Sequence, residues 1–107
     1  MDANEKQVLI TNELLKKIVK LRKRMENHPE HMPYKRDLVR ILVDIEKILS
    51  SQPLDLDKLS KDKFGIFRMV TDSSSLERSA IGKELMSLLN ELYLFLQTTK
   101  GEPTSID

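Results

Sequence analysis

The stretch Ser74-Ser75-Leu76-Glu77-Arg78-Ser79-Ala80-Ile81-Gly82-Lys83-Glu84-Leu85-Met86-Ser87-Leu88-Leu89-Asn90-Glu91-Leu92-Tyr93-Leu94-Phe95-Leu96-Gln97 decides the fold class. Ile81, Leu85, Leu88, Leu92 and Phe95 recur at spacings of four, three, four and three. On a helix that rhythm keeps every one of these side chains on one narrow face, the seam of a left-handed helical bundle. Ser74-Ser75-Leu76-Glu77 matches the capping box, in which the serine accepts from the amide three residues on and the glutamate reaches back. The pattern predicts one helix over 75–98 and therefore partners for it to pack against.

Those partners lie upstream. Leu14, Ile18, Leu21 and Met25 repeat at helical spacing, with Val8, Leu15 and Val19 widening the stripe, and predict a first helix over 6–27. Pro29 and Pro33 remove amide donors and bias their preceding residues away from helical space, so His28-Pro29-Glu30-His31-Met32-Pro33 reads as a connection. A second helix is expected over 33–50, with Pro33 in its first turn and Leu38, Ile41, Leu42, Ile45, Ile48 and Leu49 on one face. After the break at Ser50-Ser51-Gln52-Pro53, Leu56, Leu59, Phe64, Phe67 and Val70 suggest a third, over 55–71. Gly65 weakens that helix by about 1 kcal/mol relative to Ala and leaves two readings open: one continuous helix, or two short ones kinked at Phe64-Gly65-Ile66-Phe67. The expected fold is all-α, an antiparallel three- or four-helix bundle of up-down topology. It forms a single domain over 1–98, with a flexible tail over 99–107 that carries Gly101 and Pro103.

Composition narrows the function classes. The chain has 107 residues, enough for one core, and 33% of them are charged, with both signs present. It has no cysteine, which excludes disulfides and thiolate metal sites. Its longest apolar run, Leu92 to Leu96, is far short of the roughly 20 residues that a membrane span needs. The polar start Met1-Asp2-Ala3-Asn4-Glu5-Lys6 lacks the apolar core of a secretion signal, and the expectation is a cytoplasmic protein. Gly-rich phosphate loops, nucleophile elbows and catalytic cysteines are absent, so neither an enzyme nor a cofactor site is expected.

Three features remain to carry function. Residues 15–40 hold nine bases against three acids, a balance of +6, while the rest of the chain holds nine bases against fourteen acids, or −5. Lys16, Lys17, Lys20, Lys23, Arg24, Lys35 and Arg36 are the candidate surface for an anionic partner, nucleic acid included. The plainer reading is that they are solvated helix flanks. His28-Pro29-Glu30-His31 has ligand chemistry for zinc, but Pro29 places the two imidazoles in a loop and no further histidine completes a shell. The third feature is the last helix, whose seam is joined by Met86, Leu89, Tyr93, Leu94 and Leu96, more apolar surface than one core-facing stripe requires. Leu89, Tyr93, Leu94 and Leu96 are therefore the candidate contact for a protein partner or a second copy. The expected function is a non-enzymatic interaction protein, acting as a regulator, an immunity-type inhibitor or an adaptor. Nucleic-acid binding through the hairpin 16–40 is the alternative, and no small-molecule substrate is evident.

Overall fold

A computed structural model describes residues 3–28, 32–51 and 53–99. They form α1 (Ala3–Glu26), α2 (Lys35–Leu49), α3 (Leu56–Asp72), the short α4 (Ser74–Arg78) and α5 (Ala80–Thr99). The four long helices pack up and down as a ring, α1 on α2, α2 on α3, α3 on α5 and α5 back on α1, while α4 rests against α3 and α5. Among the described residues the backbones of diagonal helices do not approach each other closely. One apolar core fills the ring, with Ile18 and Met25, Leu42 and Ile45, Leu59 and Ile66, and Leu85 and Leu92 all fully buried. The tail expected after α5 lies outside the described residues from residue 100 onward.

Each helix end has a local cause. Asn27 closes α1, both its backbone amide and its side-chain amide donating to the Lys23 carbonyl. α2 begins two residues later than the proline pattern predicts, because Tyr34 takes a left-handed backbone with φ of 60°. Pro33 consequently stands before the helix, and Met32 of the connection turns inward to join the core. A β-unbranched but bulky residue in this conformation carries strain. The Tyr34 hydroxyl offsets part of that by donating to the Asp72 carboxylate at 2.6 Å, tying the start of α2 to the end of α3. α1 and α2 are further joined by Arg22, whose guanidinium is bonded to Glu46 and, at 2.9 Å, to Glu26.

α3 is continuous through Gly65, which settles the two readings in favour of one helix. A Cβ at this position would stand 3.3 Å from the Ile41 side chain, so the glycine admits α2 closely and does not break α3. The chain after α3 departs further from expectation. Ser73, not Ser74, is the cap, accepting from the Leu76 amide, and the helix it starts lasts only five residues. Ser79 ends α4 in extended backbone and opens α5, its hydroxyl donating to the Leu76 carbonyl at 2.6 Å and accepting from the Gly82 amide at 2.9 Å. Several serines compete for the cap here, and the capping-box pattern alone cannot choose between them. Gly82 then proves structural: a Cβ there would lie 1.8 Å from the Leu76 carbonyl oxygen.

Among the described residues, Asp62 is a half-buried acid that the fold leaves poorly served. One of its carboxylate oxygens is buried without a hydrogen bond, 3.5 Å from the Lys58 ammonium, which also faces Asp44. Burial pushes the Asp62 pKa above the ordinary carboxylate value; Lys58 opposes the shift, and Asp44 and Asp55 add to it.

Two outcomes follow from these contacts. Gly82→Ala should cost about 3 kcal/mol or more, because a backbone carbonyl cannot rotate out of the way. Gly65→Ala, which meets only the end of a flexible side chain, should stay within about 1 kcal/mol of wild type; urea midpoints compare the two. For Asp62 the folded pKa lies above the unfolded one, so the native state holds its proton more tightly. That stabilisation is full below the unfolded value and is lost as pH rises through the folded one. Asp62→Asn should therefore raise the urea midpoint at about pH 7, and the gain should vanish near about pH 3.

Candidate functional site

α5 is a corner of the ring with α1 on one side and α3 on the other. A helix so placed buries more than one stripe. Leu85, Leu88, Leu92 and Phe95 form the expected seam, and Leu89 and Leu96, each 6% exposed, lie about 20° to 40° beyond its Leu85 edge, on the flank away from α1. Tyr93 and Leu94, at 50% and 55%, remain in solvent. The four residues expected to meet a partner are thus divided. Leu89 and Leu96 belong to the core and are withdrawn from the surface, while Tyr93 and Leu94 stand on it.

The surface extends onto both neighbours of α5. On the α1 side, Val8, Leu9 and Ile10 are exposed, three consecutive apolar residues on the outer turns of a helix. Leu9 and Ile10 line a hollow of about 360 Å³ with Leu14, Leu94, Phe95 and Thr98, edged by Glu13 and Glu91. On the α3 side, Phe64 and Phe67, two of the apolar residues that suggested this helix, are exposed as well. α3 packs instead through Leu59, Ile66 and Val70; Phe64 sits about 160° and Phe67 about 100° round the helix from Ile66. The spacing of Leu59, Ile66 and Val70 was a usable signal, masked by the two large aromatic residues.

The basic set is also divided, by acids that are remote in sequence. Lys17 pairs with Glu91 at 2.6 Å and Arg24 with Glu84 at 2.5 Å, both from α5, and Lys16 pairs with Glu13 at 3.7 Å. Lys35 donates to the His28 carbonyl at 3.4 Å. Lys20, Lys23 and Arg36 form no ion pair with a described residue. Lys20, Lys23 and Arg24 do converge, with Asn27, His28 and Ile81, on a shallow hollow of about 450 Å³. Lys16, Lys35, Lys17 and Arg36 do not line it. Among the described residues no three His, Asp or Glu side chains are grouped to hold a metal ion, and His31 lies outside them. No described helix is long and apolar enough to cross a membrane.

Set against protein-family models, curated proteins and solved structures, the chain matches none of them.

The division of α5 into core and surface has a direct check. Leu89→Ala should cost about 2–4 kcal/mol, the range for an aliphatic side chain removed from a packed core, whereas Leu94→Ala should change stability by no more than about 0.5 kcal/mol in urea unfolding.

Proposed function

We propose that this chain is a non-enzymatic interaction protein, a regulator, inhibitor or adaptor, that self-associates through the apolar hollow between α1 and α5. The observation that carries the reading is the exposure of Leu9, Ile10 and Leu94 around that hollow. A two-fold contact needs a patch that fits itself, and here aliphatic side chains stand beside a hollow of a size to receive them. The rim supports the same arrangement, since Glu13, Lys16, Lys17 and Glu91 place both signs along it. Burying each half-exposed aliphatic side chain is worth about 1 kcal/mol, so the contact suits a dimer that dissociates on dilution.

Nucleic-acid binding through the hairpin 16–40 is the second reading, supported by the convergence of Lys20, Lys23 and Arg24. The pairing of Lys17 and Arg24 with α5 acids weighs against it.

Sedimentation velocity across a concentration series separates the two. The first reading expects a reversible monomer-dimer equilibrium that Ile10→Glu or Leu94→Glu abolishes without lowering the urea midpoint. A wild-type chain that stays monomeric at the highest concentration, together with a low-salt gel shift lost in Lys20→Glu/Lys23→Glu, would put the second reading in its place.

A further inference from the structure

On the flank of α5 away from α1, three of the chain's five aromatic residues stand in solvent: Phe64 at 56% and Phe67 at 43% on α3, and Tyr93 on α5. They are organised. The Phe64 and Phe67 rings stack with centroids 6.5 Å apart and planes 25° from parallel. The Lys63 ammonium lies 5.7 Å from the centre of the Tyr93 ring, joining α3 to α5, and the Arg68 guanidinium lies 6.0 Å from that of Phe64. Two packed helices thus present one surface of three rings and two cations.

Its charge is one-sided. Positions three and four residues from each ring, the neighbours on a helix surface, hold Lys61, Lys63 and Arg68 but no Asp or Glu. None of these three cations forms an ion pair with a described residue. Among the acids of α3, Asp62 faces Lys58 and Asp72 accepts from the Tyr34 hydroxyl, while the exposed Asp57 stands two turns before Phe64 at the start of the helix. An apolar ridge whose adjacent charged residues are cations is complementary to an apolar stripe flanked by carboxylates.

We infer that this α3/α5 face docks an amphipathic helix of another protein, with its apolar stripe on Phe64, Phe67 and Tyr93 and Asp or Glu flanks facing Lys61, Lys63 and Arg68. A helix laid along the seam between α3 and α5 extends the packing that already builds the ring. Single-stranded nucleic acid fits less well, because stacking needs open ring faces. Here Phe64 and Phe67 stack on each other, and cations lie over Phe64 and Tyr93. The contact uses the opposite flank of α5 from the proposed dimer, so the two stand or fall separately.

The probe is a fluorescein-labelled synthetic helix with leucines at i, i+3, i+4 and i+7 and glutamates on both flanks, paired with a twin carrying lysines on the flanks. By anisotropy, the full chain should bind the glutamate helix at least about tenfold tighter than its twin, and the preference should shrink with added salt. Phe67→Ser/Tyr93→Ser should weaken binding about tenfold at an unchanged urea midpoint. Lys63→Glu/Arg68→Glu should invert the preference toward the lysine helix, a readout that loss of folding cannot mimic. Equal binding of the twins, or binding indifferent to the charge reversal, overturns the inference. It is overturned equally if oligothymidylate or phosphatidylglycerol vesicles bind through Lys63 and Arg68 while the glutamate helix does not. A wild-type dimer split by Phe64→Ser/Phe67→Ser but not by Leu94→Glu would make the occupant a second copy and overturn it too.

Discussion

The Leu76 carbonyl occupies the space that a side chain at position 82 would need, and the rest of α5 is placed from that contact. The Ser79 hydroxyl locks it by bonding the same carbonyl and the Gly82 amide. Together they end α4, start α5 and set the rotation at which α5 enters the ring. A helix turned by one residue, about 100°, would exchange buried for exposed positions along its whole length. Which apolar side chains of α5 reach the core and which face solvent is therefore decided at the corner built by Leu76, Ser79 and Gly82.

From that rotation the surface follows. α5 touches α1 on one side and α3 on the other, which buries two stripes and leaves Tyr93 and Leu94 on the outer arc. Tyr93 adjoins the aromatic and cationic ridge of α3, and Leu94 adjoins the aliphatic end of α1. The two apolar surfaces share a helix but differ in chemistry. One is edged by acids and bases together, the other mainly by bases, and charge at the edge is what discriminates partners when the apolar centre is permissive.

Electrostatics between α1 and α5 act in the other direction. The basic hairpin carries a local excess of +6 along the sequence, yet α5 returns Glu84 and Glu91 to Arg24 and Lys17. These pairs are solvent-exposed, and their contribution to stability is small. Their larger effect is on the field: they reduce the positive potential of α1 on the side facing α5 and leave there Lys20 and Lys23, which form no ion pair with a described residue.

Much of the architecture was legible in the residues alone. Spacings of three and four in the first, second and last helices report which side chains share a face, and prolines and serines mark the breaks, because both are local properties of the chain. The all-α class, the up-down order of the long helices and the cores of α1 and α2 follow from them. Tertiary structure decided what depends on neighbours. Gly65 permits close packing of Ile41 and Gly82 the carbonyl of Leu76, but a glycine in a helix looks the same whether it is a flaw or a necessity. Leu89 and Leu96 went to the core, and Phe64 and Phe67 to solvent, because burial depends on where the next helix lies and periodicity marks only a face. The neutralising acids of α5 stand 60 and 74 residues from their partners, beyond the reach of any local count of charge.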